Sequence, residues 1–81
     1  GNVQVSGHTD NIPIAFSERF DSNWDLSAAR AAAVADYFFA NSDIDSQRVS
    51  VFGYADTKPV ANNDEAAGRA QNRRIEILID G

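Results

Sequence analysis

The sequence predicts an α+β domain, a small mixed β-sheet packed against helices. Three patterns carry this reading. Apolar residues alternate with a period of two near both ends and again over residues 48–54, a stripe with helical spacing fills the middle, and the order is strand, helix, strand, short helix, strand. At 81 residues the chain holds one small domain or a piece of one, against a usual length of roughly 100 to 200.

The first strand begins almost at the first residue, where Val3, Val5 and Gly7 alternate with Gln4 and Ser6. Residues 7–23 follow as a polar stretch with Pro13 inside it, read as a long exposed loop whose length alone points to function. From Leu26 the spacing changes to that of a helix. Leu26, Ala29, Ala33, Val34, Tyr37 and Phe38 form one apolar stripe, Asp25 or Ser27 serves as the cap, and Asn41, Ser42 and Asp43 end it. Residues 48–54 (RVSVFGY) read as the second strand, rich in β-branched and aromatic residues. Pro59 and the Asn62, Asn63, Asp64 cluster mark a loop, and Asp64 caps a short helix running to about Ala70. The last strand, residues 74–79, sets Ile75, Ile77 and Ile79 on one face. A helix between the first two strands implies a right-handed crossover and a parallel pair, while the direction of the last strand is not determined by sequence.

Composition narrows the function classes. A net charge of −5 argues against nucleic acid and against anionic lipid surfaces, both of which demand a basic face. No cysteine is present, which excludes a disulfide scaffold and a thiol enzyme. One histidine gives too few ligands for a zinc site around His8 and Asp10, and no metal or other cofactor is expected. A Ser27, His8, Asp10 triad lacks the strained turn that exposes a nucleophile, and no glycine-rich phosphate loop exists. A small hydrolase using His8 and Asp10 as acid and base lacks any accompanying nucleophile or metal set.

What remains is a pairing of charges. Arg30 falls on or beside the predicted apolar stripe, so it needs a partner, either Asp10 just beyond the first strand or another acid. Two readings follow: a structural ion pair holding loop to helix, or a clamp in which Asp10 takes an ammonium and Arg30 the carboxylate of an amino-acid group. The basic set Arg69, Arg73 and Arg74 forms salt bridges with nearby acids or orients an anionic ligand. Trp24 reads as a lid over the core.

Four ordered blocks then stand out: VSGHTDN from Val5, SNWDLSAARAAAVADYF from Ser22, RVSVFGYADTKPVANN from Arg48, and GRAQNRRIEILI from Gly68. Together they resemble the OmpA-like peptidoglycan-binding domains, and the residues Ile12 to Ile14, the long spacer and Ser22 to Trp24 resemble the MotB and PomB branch, the wall anchors of flagellar stators. The resemblance implies non-catalytic binding of the diaminopimelate group of the peptidoglycan stem peptide. It puts the binding carboxylate on Asp10 and the binding guanidinium on Arg30, with Thr9, Asn11, Leu26 and Ser27 shaping the pocket and Arg73 as a further candidate. It also implies a periplasmic domain of an inner-membrane parent, a homodimer, and a further strand and helix ahead of Gly7, so that this chain reads as an N-terminally truncated domain. An outer-membrane protein tethering its membrane to the wall through the same ligand is the alternative within the family.

Overall fold

The computed structural model describes residues 1–14 and 20–80. Three strands make one sheet: β1 (Asn2–Gly7), β2 (Val49–Gly53) and β3 (Ile75–Asp80), in the order β2-β1-β3. β1 runs parallel to β2, with Val3 opposite Val49 and Gly7 opposite Gly53, and antiparallel to β3, with Val5 opposite Ile77. The predicted α+β class with a mixed sheet is what forms, and the direction that sequence left open is antiparallel.

α1 (Asn23–Asn41) crosses over between β1 and β2. Its cap is Ser22, whose Oγ accepts from the Asp25 backbone N–H at 3.3 Å, and the Asp25 carboxylate in turn accepts from the Asp21 N–H at 3.2 Å. The cap therefore lies three residues before the expected Asp25, because a Ser followed at the third helical position by an acid satisfies orphan amides at both places. Likewise α2 (Ala66–Asn72) starts after Glu65, not Asp64. Asp64 is taken instead by a turn in which its N–H donates to Asn62 Oδ1.

The face that α1 buries differs from the predicted stripe. Ser27, Ala31 and Ala35 are buried, with Val34 and Phe39 packed beside them, whereas Ala33 is exposed and Tyr37 is 68% exposed. The reason is the closeness of approach. A Cβ on Gly7 would collide with the Ser27 carbonyl, and one on Gly53 would lie 2.7 Å from the Ala28 nitrogen and 2.8 Å from its Cβ. Strand backbone meets helix backbone at these two glycines, so the contact surface of the helix has to be small residues, and the larger apolar ones rotate outward. Trp24 is 56% exposed and does not roof the core. Ser27 already sits over Gly7 at the end of β1, so one turn earlier the helix has run past the strand.

The core is Val3, Val5, Ala31 and Ala35, flanked by Val34, Phe39, Ile44, Val49 and Ile75. Because α1 packs chiefly across β1 and β2, the apolar face of β3 is only partly covered: Ile77 is 42% exposed and Ile79 69%.

Gly7→Ala and Gly53→Ala are each expected to lower stability by about 1 to 3 kcal/mol or more, since helix and strand must separate to admit a methyl group. Ala33→Ser, on the outward side, should stay within about 0.5 kcal/mol of the parent. Denaturant midpoints of the three variants check this.

Candidate functional site

Beyond Gly7 the chain continues as an extended segment wedged between the ends of the other two strands. The His8 N–H donates to the Arg74 carbonyl at 2.9 Å, the Thr9 N–H to the Ala55 carbonyl at 2.8 Å, and the Tyr54 N–H to the Gly7 carbonyl at 3.0 Å. His8, Thr9 and Asp10 are consequently buried, which corrects the expectation of an exposed loop for these first residues; residues 15–19 of that loop lie outside the described residues. Ser27 completes the joint from the helix side. Its Oγ accepts from the Ala55 N–H at 3.0 Å and donates to the Trp24 carbonyl at 3.1 Å. Ala55 has φ of 53°, a left-handed conformation that costs a non-glycine residue roughly 1 kcal/mol and is held by these hydrogen bonds.

Both carboxylate oxygens of Asp10 accept a hydrogen bond. Oδ1 accepts from the Ile12 N–H at 3.1 Å, turning the chain, and Oδ2 accepts from Arg73 Nη1 at 2.7 Å. Asn23, at the start of α1, donates to the Ile12 carbonyl at 3.1 Å and so ties the turn to the helix. Arg73 reaches Asp10 because Asn72 beside it is clamped. The Asn72 amide, wholly buried, accepts from the Val60 and Ala61 N–H groups at 2.8 and 3.0 Å and donates to the Ala61 carbonyl and Asn63 Oδ1 at 3.0 and 2.7 Å. All four of its hydrogen-bonding positions are used.

Arg30 stands elsewhere. It is exposed, its side chain makes no hydrogen bond or ion pair with another described residue, and with Phe20, Leu26, Ala29 and Ala33 it lines a shallow cavity of about 370 Å³ on the outer side of α1. The half-buried Asp10–Arg30 pair therefore does not form, since small residues face the sheet and turn position 30 to solvent; the structural ion pair is Asp10–Arg73. Among the sequence-predicted residues the structure joins Asp10 with Arg73, buries Thr9 and Ser27 in the joint, leaves Asn11 exposed and half-buries Leu26 beside Arg30. Asn23, Ala55 and Asn72 were missed as organising residues. The Ser22 to Asp25 capping signature was readable; the partners of Asn72 are brought together only by the fold.

On the other side of the sheet His8 is 2% exposed, its ring stacked on Tyr54 at 5.3 Å, with Nε2 3.0 Å from Glu76 Oε2 but not aligned for a hydrogen bond, and with Nδ1 unpartnered. Burial foremost, then the nearby positive charge of Arg74, lowers its pKa from the ordinary 6.5, and these outweigh the opposing pull of Glu76. Among the described residues no cluster of three or more His, Cys, Asp or Glu could hold a metal ion.

A model of the OmpA family matches residues 1–73. The chain belongs to the OmpA family. It is 49% identical over 78 residues to Motility protein B of Bacillus subtilis, spanning 96% of this chain and 30% of that protein. The fold superposes on the C-terminal domain of Helicobacter pylori MotB with a TM-score of 0.88 at 32% identity, covering 99% of this chain and 61% of that one. It also superposes on the cell wall anchor of the T6SS from Pseudomonas aeruginosa with a TM-score of 0.86 at 53% identity, covering 95% and 52%. Within the OmpA family these matches support the MotB branch. The chain spans under a third of Motility protein B and between half and two thirds of the two solved chains.

Two outcomes are expected of this OmpA-family domain. Asn72→Ala should cost about 1 to 3 kcal/mol by leaving buried backbone groups unpaired, and should loosen the Arg73–Asp10 pair, seen as new chemical shifts at Asp10 and Ile12. Because the folded-state pKa of His8 is lowered, the unfolded chain binds its proton first. The stability held in neutral His8 is complete above pH 6.5 and is lost as pH falls through and below that value. Urea midpoints at about pH 8 and about pH 5 should show a drop for the parent that is smaller in His8→Gln.

Proposed function

We propose that this domain binds peptidoglycan without turnover, taking the diaminopimelate group of the stem peptide between Arg30 and the segment around Asp10, and so anchors a MotB-like stator protein to the cell wall. The observation that carries the reading is Arg30. In an acidic chain it is a solvent-facing guanidinium with no described partner, beside half-buried Leu26 in an open cavity, and its planar fork matches a ligand carboxylate by two parallel hydrogen bonds. Asp10 has spare lone pairs for an ammonium beyond those used by Ile12 and Arg73, and Arg73 holds the carboxylate in one orientation. Thr9, Asn11, Leu26 and Ser27 shape and support the pocket, Thr9 and Ser27 through the joint that positions Asp10 relative to α1.

Family membership supports the wall as the partner, since one similar structure is a cell wall anchor and similar solved MotB chains are periplasmic domains. A periplasmic site follows for this domain, with the membrane attachment supplied by other parts of a MotB-like parent. No helix among the described residues is long and apolar enough to cross a membrane.

The test is sedimentation with isolated diaminopimelate-type sacculi. Arg30→Ala should fold as the parent does, because the Arg30 side chain has no partner among the described residues, yet lose roughly tenfold or more in binding. Asp10→Asn should lose binding together with some stability. Lysine-type stem peptides, which lack the second carboxylate and strand Arg30, should bind more weakly. A folded parent that stays in the supernatant, or equal binding by Arg30→Ala, would overturn the reading.

A further inference from the structure

His8 stands where the chain leaves β1 for the segment that carries Asp10, and the groups around it come from three parts of the fold. Its ring is 2% exposed and stacks on Tyr54, just beyond β2, with centroids 5.3 Å apart. Glu76 of β3 brings Oε2 to 3.0 Å from Nε2, and Arg74, just before β3, holds the same oxygen at 3.2 Å. Lys58, in the loop after β2, sets its ammonium 5.0 Å above the Tyr54 ring. Neither ring nitrogen of His8 has a hydrogen-bond partner among the described residues. Beside the ring opens a cavity of about 330 Å³, which His8 lines with Tyr54, Lys58 and Glu76.

This seat suits a neutral ring and not a charged one. An imidazolium has two N–H donors to satisfy, and in the seat it would share one carboxylate with Arg74 while Lys58 adds a third positive charge. In the cavity, water and the half-exposed Glu76 carboxylate are within reach. Leaving the seat has a consequence for the backbone. The His8 N–H donates to the Arg74 carbonyl at 2.9 Å and the Thr9 N–H to the Ala55 carbonyl at 2.8 Å, and the next residue is Asp10. We infer that His8 is a proton-operated latch: neutral, its ring seats against Tyr54 and keeps residues 8–10 in the joint; protonated, it turns into the cavity toward Glu76 and frees the segment that positions Asp10. Burial, Arg74 and Lys58 set the change below the ordinary histidine value of 6.5, with Glu76 pulling the other way. On the peptidoglycan reading, on which this last step rests, the hold on the wall slackens in acid.

NMR of the labelled chain from about pH 8 to about pH 5 tests the latch without any ligand. The His8 imidazole shifts, the contacts between its ring and Tyr54, and the amide shifts of Thr9, Asp10 and Ile12 are expected to change together with one midpoint. Glu76→Gln should lower that midpoint and Lys58→Gln should raise it, and both side chains are exposed, so both variants should fold as the parent does. His8→Gln should leave the three amides flat. A ring that titrates while its Tyr54 contacts and the Asp10 amide stay unchanged would overturn the latch. So would a midpoint that neither variant moves, or loss of the whole fold at that midpoint. In a separate arm, sedimentation with diaminopimelate-type sacculi should show binding roughly tenfold weaker at the acid end, as expected when about a tenth of the chain stays latched, and little change in His8→Gln. Equal binding at both ends by a parent whose segment opens would overturn the link to the wall. Absence of binding at every pH would instead sink the stem-peptide reading, with the latch still decided by NMR.

Discussion

The structure depends on one joint, where the end of β1, the end of β2 and the second turn of α1 meet. Gly7 and Gly53 let helix and sheet backbones touch, and Ser27 converts that closeness into a hydrogen bond to Ala55, whose carbonyl in turn holds Thr9. A hydroxyl buried at this place would be costly if unpaired, and here both of its functions are used. The left-handed Ala55 shows how tightly the joint is determined, because an alanine does not adopt that conformation without compensation. In a domain this small, with no cysteine to cross-link it, such a connection stands in for the apolar burial that a longer chain would supply.

From the joint the electrostatics follow. The segment after Thr9 is held at a single height above the sheet, so Asp10 meets Arg73 from across the domain, and Asn72 keeps Arg73 in place by knitting residues 60–63 to the end of α2. Arg30, excluded from the sheet-facing side by the same close approach, keeps its charge for solvent. One arginine is thus used to orient an acid, and the side chain of the other has no hydrogen-bond or ion-pair partner among the described residues.

The two faces of the sheet are also treated differently. On the helix side the small residues of α1 cover β1 and β2 and leave Ile77 and Ile79 partly open. On the other side, polar and aromatic side chains of all three strands lie in rows, as the pleat requires of alternate residues. Burial of His8 in its neutral form couples this face to pH through stability, since protonation must be reached against desolvation and a neighbouring arginine.

The order of elements, the parallel β1–β2 pair and the family were legible in the sequence, because period-two alternation, helical spacing and four ordered blocks are local signals. Asp10 and Arg73 were likewise legible as charges needing partners, but not as partners of each other. Sixty-three positions separate them, and only the antiparallel return of β3 beside β1 brings them within 2.7 Å. The buried face of α1 was misread because hydrophobicity ranks Leu26 and Tyr37 above Ser27 and Ala31, whereas close packing ranks by size. Local chemistry thus determined what this protein is made of and which family it joins. Tertiary structure decided which arginine pairs with Asp10 and which faces solvent, since pairing over long sequence separations is set by where backbones can touch.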